Sequence, residues 1–319
     1  MNKLKAVSLF CGCGGTDIGM EGGFDFLGTE YSSNNIDIVF ANDIDEKALD
    51  IFESNFSSHT FSGDIKSLDY KEIPDHDILT GGFPCQSFSI VAQNPPRLGI
   101  KDEKGELFFE MCKILREKKP TVFIAENVKG ILSANQKKAF PLIIKEFEDS
   151  GYYVSWKLLN SSSFGVPQKR ERVFIVGFKY KKHFKKFNFP SVEKKMAVLS
   201  DVIFPESEIE PKYYFSERAV QGLMNSNKKM NKGRAQDITQ PCNTVGAHLA
   251  KVSLNSTDPV LCLNNRYRRF TPREVARIQS FPDSFELVGS EASQYRALGN
   301  AIPPVMFWHL IQEVKKAIS

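Results

Sequence analysis

Short apolar runs, each ending in glycine or an acidic residue and followed by helical spacing, are what most constrain the fold. LKAVSLF (4–10) stops at the turn Gly12-Cys13-Gly14-Gly15, with a helix expected from about Asp17. IDIVFA ends at Asn42-Asp43, and helical spacing follows over 46–55. HTFSGDI ends at Asp64, and HDILTGG leads into Phe83-Pro84-Cys85. A helix at 106–117, TVFIAEN, a helix at about 135–150, YYVSWKLLN and RVFIVGF complete the series. Strands alternating with helices predict an α/β fold with a doubly wound, Rossmann-like parallel sheet.

The pattern lapses after Gly177. Residues 178–265 have weak periodicity, many lysines and scattered Pro, Asn and Ser. They read as a small, irregular domain inserted into a body made of 1–177 and 266–319. Regularity returns in TPREVARIQSF, with Thr271 as N-cap, Pro272 at the first position and Glu274 in the first turn. A last helix is expected at about 303–318.

The length of 319 residues fits two domains, or one with an insertion. With 41% apolar and 25% charged residues the chain is globular rather than disordered. No run approaches the roughly 18 apolar residues of a membrane span. The first apolar run breaks at glycines too early for a signal peptide, so a cytoplasmic chain is expected. The six cysteines are too few for a disulfide scaffold and should be reduced thiols. Cys11 and Cys13 lack a CxxC or HxxxH companion, so no metal is expected.

The net charge of +4 is unevenly spread. Residues 178–270 hold 17 basic and 8 acidic residues, about +9, which leaves about −5 elsewhere. A basic module on an acidic body suits a polyanion, nucleic acid above all, and equally a solvated lysine-rich face. Lys228, Lys229 and Arg234 are the expected phosphate contacts.

A Gly-rich turn after a first strand is either a tight βα connection or a nucleotide site. Asp43 ends the second strand, where a carboxylate can accept both ribose hydroxyls. Asp64 ends the third, where it can accept an adenine amino group. Residues 6–46 contain eight carboxylates and no Lys or Arg. A pyrophosphate pocket gains from basic groups, although a helix N-terminus can suffice. S-adenosylmethionine carries a sulfonium and no phosphate, so this segment favours it over NAD or ATP. The turn also lacks GxGxxG spacing.

Cys85, in GGFPCQSFS, lies just past the fourth strand, and open α/β sheets bind ligands at carboxyl ends. A Gly- and Ser-rich turn is a poor place to bury a hydrophobe, whereas Cys112 sits on an apolar helix face and reads as core. Glu126, in AENV, ends the fifth strand and is either a salt-bridge member or a site residue. Arg170 and Arg172 are two apart, so an extended backbone points both to one face.

This ordered set resembles the DNA (cytosine-5) methyltransferases of bacterial restriction-modification systems. The matching segments are SLFCGCGGTDIGM, ANDID, GDI, GGFPCQSFS, GELFFE, AENV, GVPQKRERVFIVG, RRFTPREVARIQSFPDSF and YRALGNAIPP. They cover roughly two-thirds of the chain. The resemblance implies an S-adenosylmethionine-dependent catalytic domain, an inserted target-recognition domain at 178–265, and a C-terminal helix returning to the catalytic domain. It makes Cys85 the nucleophile and sets Glu126 against N3 and the exocyclic amine of cytosine. Arg172, with Arg170 and Gln168, would orient the base and the catalytic turn. Phe10, Cys11, Gly12, Cys13, Gly15, Asp43, Ile44, Asp64, Ile65, Gly82, Pro84, Leu107, Asn300 and Ala301 would line the cofactor site. Gln86, Ser89, Arg97 and Thr244 would meet DNA, with 86–104 closing over a flipped base.

Cysteine at 11 and 13 departs from the family's smaller or apolar residues, and Asp43 stands where Glu is common. Thr244-Val245 resembles the TV pair of the recognition domains. The implied partner is duplex DNA, with S-adenosylhomocysteine as product and no metal. A restriction endonuclease would share the site without being bound, and the chain would be a monomer. The rival readings are a tRNA cytosine-5 methyltransferase, a catalytically inactive DNA-binding regulator and, more distantly, an NAD-linked oxidoreductase.

Overall fold

The computed structural model describes residues 3–83, 106–191, 196–224, 234–250 and 258–319. Pro84, Cys85, Gln86, Ser89, Arg97, Lys228, Lys229 and the loop at 86–104 lie outside the described residues.

Seven strands form the central sheet: β1 (Leu4–Leu9), β4 (Ile36–Asp43), β5 (His59–Ser62), β6 (Ile78–Gly81), β7 (Val122–Val128), β8 (Tyr153–Asn160) and β10 (Glu171–Phe178). Their order is β5-β4-β1-β6-β7-β10-β8. Pairings from β5 through β7 are parallel. Strand order reverses between β1 and β6, the crevice where doubly wound sheets take ligands.

The sheet is parallel only in part. β10 runs antiparallel to both β7 and β8. The reason is chain length: only residues 161–170 separate β8 from β10, while a parallel crossover needs a dozen or more. Two short strands, β2 (Phe24–Phe26) and β3 (Thr29–Tyr31), form a hairpin that the apolar pattern does not reveal.

Both sheet faces are covered, which is why the strands read as continuous apolar runs. Ala6, Ile38, Ile78, Ile124 and Phe174 belong to one buried cluster. Their alternates Val7, Leu79, Phe123, Ala125 and Ile175 belong to the other. The first cluster packs α1 (Gly15–Glu21), α2 (Glu46–Glu53) and the C-terminal helix; the second packs α3 (Glu106–Lys118) and α4 (Ala139–Asp149). The helix expected from about Asp17 starts at Gly15.

Residues 178–265 are mostly irregular, with α5 (Lys181–Lys186), α6 (Glu217–Met224) and three single 3-10 turns between them among the described residues. β9 (Gln168–Lys169) pairs with β11 (Cys242–Asn243), and β12 (Leu261–Leu263) with β13 (Arg266–Arg268). Buried Phe187, Leu199, Val202, Val245 and Leu261 share the first cluster with the sheet.

Thr271 caps α7 (Pro272–Ile278) through a reciprocal bond with Glu274, as its sequence predicts. Glu274 also makes a two-pronged ion pair with Arg268, 2.7 Å on each arm, with both side chains buried. A helix not anticipated from sequence, α8 (Glu291–Asn300), precedes α9 (Pro304–Ile318).

Candidate active site

The Gly-rich turn leaves β1 through Phe10 (φ 54°) and Gly12 (φ 56°). Only glycine adopts such a φ without strain. A β-carbon at Gly12 would meet nothing within 4 Å among the described residues. Its amide donates to Asp43 Oδ2 at 2.7 Å, and the Asp45 amide donates to Oδ1 at 2.9 Å. Burial pushes the Asp43 carboxyl up, and these donors oppose it.

Ile44, beside Asp43, is 70% exposed, leaving an apolar surface uncovered next to that carboxylate. Asp64 caps a short helical turn, accepting from the Lys66 amide at 3.0 Å, and Ile65 is buried. Leu107, on α3, is half-buried against the cluster that contains Phe83.

The C-terminal segment returns to this turn. A β-carbon at Gly15 would stand 2.4 Å from the Ile302 carbonyl oxygen and 3.3 Å from the Ala301 side chain. Asn300 next to it is exposed. A glycine that no described residue crowds, a carboxylate at a strand end and an exposed apolar side chain fit an adenosine-bearing cofactor.

Cys11 and Cys13 are buried within the turn. Burial pushes the Cys13 thiol up to about 12 and Cys11 well above its ordinary value, so both are neutral packing groups. Among the described residues no His, Cys, Asp or Glu cluster could hold a metal. Asp17 lies in α1 and is fully buried. Its Oδ2 accepts from Thr16 at 3.0 Å, and the Ser8 hydroxyl also acts on the carboxyl as a donor. Burial raises its pKa to about 7.

Across the crevice, Glu126 on β7 and Arg172 on β10 form an ion pair, Nε to Oε1 at 2.9 Å, with the side chains 15% and 14% exposed. Antiparallel register brings them together, because Glu126 faces Phe174 and Val128 faces Arg172. Burial raises the Glu126 pKa, and the Arg172 and Arg170 charges oppose it. A β-carbon at Gly82 would lie 3.3 Å from Glu126 Oε2, so that oxygen faces the segment leading to Pro84 and Cys85. Asn127 Nδ2 donates to the Phe83 carbonyl at 2.9 Å and fixes the chain at that point.

Arg170 is not brought into that pair. Its guanidinium donates to the carbonyls of Val245 (3.0 Å) and Gly299 (2.9 Å). Arg170 lies at the one-residue break between β9 and β10; its charge still acts on Glu126 and Arg172, but its hydrogen bonds go to the main chain. Gln168 is likewise buried, and its side chain is bonded to Gln279 and to the Val245 amide. Thr244 Oγ1 donates to the Lys169 carbonyl at 2.7 Å.

Thr244 and Arg172 line an open cavity of about 540 Å³, together with Lys129, Lys169, Asn160 and Glu171. Lys129 pairs with Glu171 at 2.9 Å. These charges, Asn127 and Gln279 escaped the sequence reading, although each directly neighbours or lies within a matched segment. Arg234 is corrected as a phosphate contact: it is buried, and its Nε donates to the Asp258 carbonyl at 2.9 Å.

A doubly wound sheet with a Gly-rich turn and a bonded carboxylate at its switch point, and a Glu–Arg pair two strands away, is a Rossmann-like enzyme frame. The chain belongs to the C-5 cytosine-specific DNA methylases, whose family model matches residues 4–316. It is 34% identical over 309 residues to the Type II methyltransferase M1.ScrFI of Lactococcus lactis subsp. cremoris, covering 94% of this chain and 75% of the relative. It is 33% identical over 322 residues to the Type II methyltransferase M.NlaX of Neisseria lactamica, covering 99% and 97%. The solved structure of the Entamoeba histolytica methyltransferase EhMeth superposes with a TM-score of 0.78 at 19% identity, covering both chains fully, and shares the fold. This protein is therefore a DNA (cytosine-5)-methyltransferase. Among the described residues no helix is long and apolar enough to cross a membrane.

Proposed function

We propose that this methyltransferase modifies a flipped-out cytosine within one specific duplex sequence, with Cys85 as nucleophile. S-adenosylmethionine would be held by the turn at 10–15, Asp43, Ile44, Asp64, Ile65, Gly82, Pro84, Leu107 and 300–301. Residues 178–265 would read the sequence, and the chain would act as a cytoplasmic monomer. As with its Type II relatives, its methylation would protect DNA from an endonuclease that it does not bind. The observation that carries this reading is the Glu126–Arg172 pair, whose second carboxylate oxygen faces Gly82, three residues before Cys85.

The bound cofactor supplies an electrophilic methyl on a sulfonium. Carbon 5 of cytosine is too weak a nucleophile to take it unaided. The Cys85 thiolate adds to carbon 6, and the ring electrons move toward N3. Glu126, its pKa raised by burial, holds a proton at N3 and receives that charge. Arg172 fixes the orientation of Glu126 through Oε1. Once carbon 5 is methylated, its proton passes to solvent water, the released electron pair re-forms the ring double bond, sulfur leaves carbon 6 as the Cys85 thiolate, and the N3 proton returns to Glu126. A free thiol has a pKa of about 8.5, so only a minor fraction of such a group is thiolate at neutral pH unless its surroundings lower that value. Flipping the base costs a few kcal/mol.

Bisulfite sequencing of DNA from cells expressing the protein should reveal one methylated sequence. A covalent adduct with 5-fluorocytosine DNA should form and should vanish in Cys85→Ser. Turnover surviving that substitution would sink the mechanism. Methyl uptake into tRNA rather than duplex DNA would overturn the substrate assignment.

A further inference from the structure

The segment at 244–246 and the turn at 299–301 meet backbone to backbone. A β-carbon at Gly299 would stand 2.3 Å from the carbonyl carbon and oxygen of Gly246 and 2.4 Å from the Ala247 nitrogen. Contact this close transmits displacement, because neither segment can shift toward the other without overlap.

Two buried hydrogen-bond routes cross the same junction. Arg170 spans it directly, with one terminal nitrogen on the Val245 carbonyl and the other on the Gly299 carbonyl. The second route is a chain of amides. The Val245 amide donates to Gln168 Oε1 at 2.9 Å, and Gln168 Nε2 donates to Gln279 Oε1 at 2.6 Å. Gln279 Nε2 then donates to the Leu298 carbonyl at 2.6 Å and, more weakly, to the Ala301 carbonyl at 3.4 Å. Arg170, Gln168 and Gln279 are all buried. Both routes thus start at the main chain of Val245, beside Thr244, and end on residues 298–301.

We propose that Arg170 and the Gln168–Gln279 chain are positioning residues that couple the DNA-facing segment at 244–246 to the cofactor-facing turn at 299–301. Binding of DNA and binding of cofactor then reinforce each other. This rests on the assignment of those two segments in the functional reading above. Val245 cannot move relative to Gly299 without stranding buried donors or acceptors, and such groups are costly to leave unpaired. A ligand that orders one segment orders its partner, and the second ligand meets a junction already set. The coupling is reciprocal: the factor by which DNA tightens cofactor binding equals the factor by which cofactor tightens DNA binding.

The test uses the whole protein, S-adenosylhomocysteine as an unreactive cofactor probe, and a duplex carrying the sequence mapped by bisulfite. In the wild type each ligand should tighten the other by roughly 5- to 150-fold. In Arg170→Gln and in Gln279→Met that factor should fall to within about twofold of one, while each ligand alone still binds. Loss of a merely structural contact would weaken both affinities and leave the factor intact. An unchanged factor in both variants overturns the proposal.

Hydrogen exchange on the wild type tests it without any substitution. S-adenosylhomocysteine alone should slow exchange at 242–250, and duplex DNA alone at 296–303. No change at either place overturns it as well. A wild type that binds neither ligand would overturn the functional reading itself, which is a different result from two ligands that bind without coupling.

Discussion

Asp17→Asn should change how stability depends on pH, and by a calculable amount. Burial raises the Asp17 carboxyl from 3.8 to about 7. The folded chain therefore holds this proton more tightly than the unfolded chain does. Stability consequently falls as pH rises from about 4 to about 7, and the loss is complete above the folded value. A shift of about three units at 1.36 kcal/mol each gives about 4 kcal/mol at full ionisation. Between pH 5 and pH 8 the part developed is about 2.5 kcal/mol, because some of the penalty is already present at pH 5.

Asparagine does not titrate, so the variant should gain about that much on the wild type between those pH values. Thr16 can still donate to the amide oxygen as it does to Oδ2. The new amide nitrogen cannot accept from the Ser8 hydroxyl as the carboxylate does, at a cost of about 1–3 kcal/mol. That cost is the same at every pH, so it offsets the curve without tilting it. Urea unfolding of both proteins at pH 5 and pH 8 measures the tilt, and subtracting the wild type cancels every other titration. A difference that does not vary with pH would refute the reasoning.

Glu126→Gln keeps the side chain's shape and its acceptor for Arg172 but holds no proton at N3; kcat should drop roughly 10²- to 10⁴-fold while duplex affinity hardly changes, as methyl transfer and gel-shift titration would show. Lys129→Ala and Lys169→Ala, on the cavity beside Arg172, should each lower the salt slope of log K for duplex DNA by about 0.9, and an unchanged slope in both would remove that cavity from the DNA path. Arg268→Ala strands the buried Glu274 carboxylate and should cost about 3–5 kcal/mol in denaturant unfolding, with the salt slope unaffected.

Much of the fold was legible because its signals are local. β1, β4, β6 and β7 are buried on both faces, so each reads as an apolar run. The cap on α7 needs only Thr271 and Glu274, three residues apart. The antiparallel placement of β10 was hidden because direction depends on what a short connection can span, not on the strand's own residues. α8 was hidden because its apolar face is narrow: Tyr295, Ala297 and Leu298 are buried, but its first turns are polar. Arg234 misled because charge predicts a partner's sign and not a side chain's position. It lies buried, bonded to the Asp258 carbonyl.

The site divides along the same line. Glu126 and Arg172 could be picked out singly, since a carboxylate and an arginine at strand ends are unusual; their pairing depends on the register between β7 and β10. Arg170 shows the opposite limit. Spacing put it beside Arg172, and its charge does act on Arg172 and Glu126, yet its hydrogen bonds go to the carbonyls of Val245 and Gly299, distant in sequence. Gln279 gave no signal, because a glutamine near a helix end is ordinary until its neighbours are known. Its amide holds Leu298 and Gln168 at once, and in this fold that joins the end of α8 to β9. Residue types tied to the reaction announce themselves in sequence. Residues that set distances between two ligand sites are chosen for what the folded chain places on either side of them.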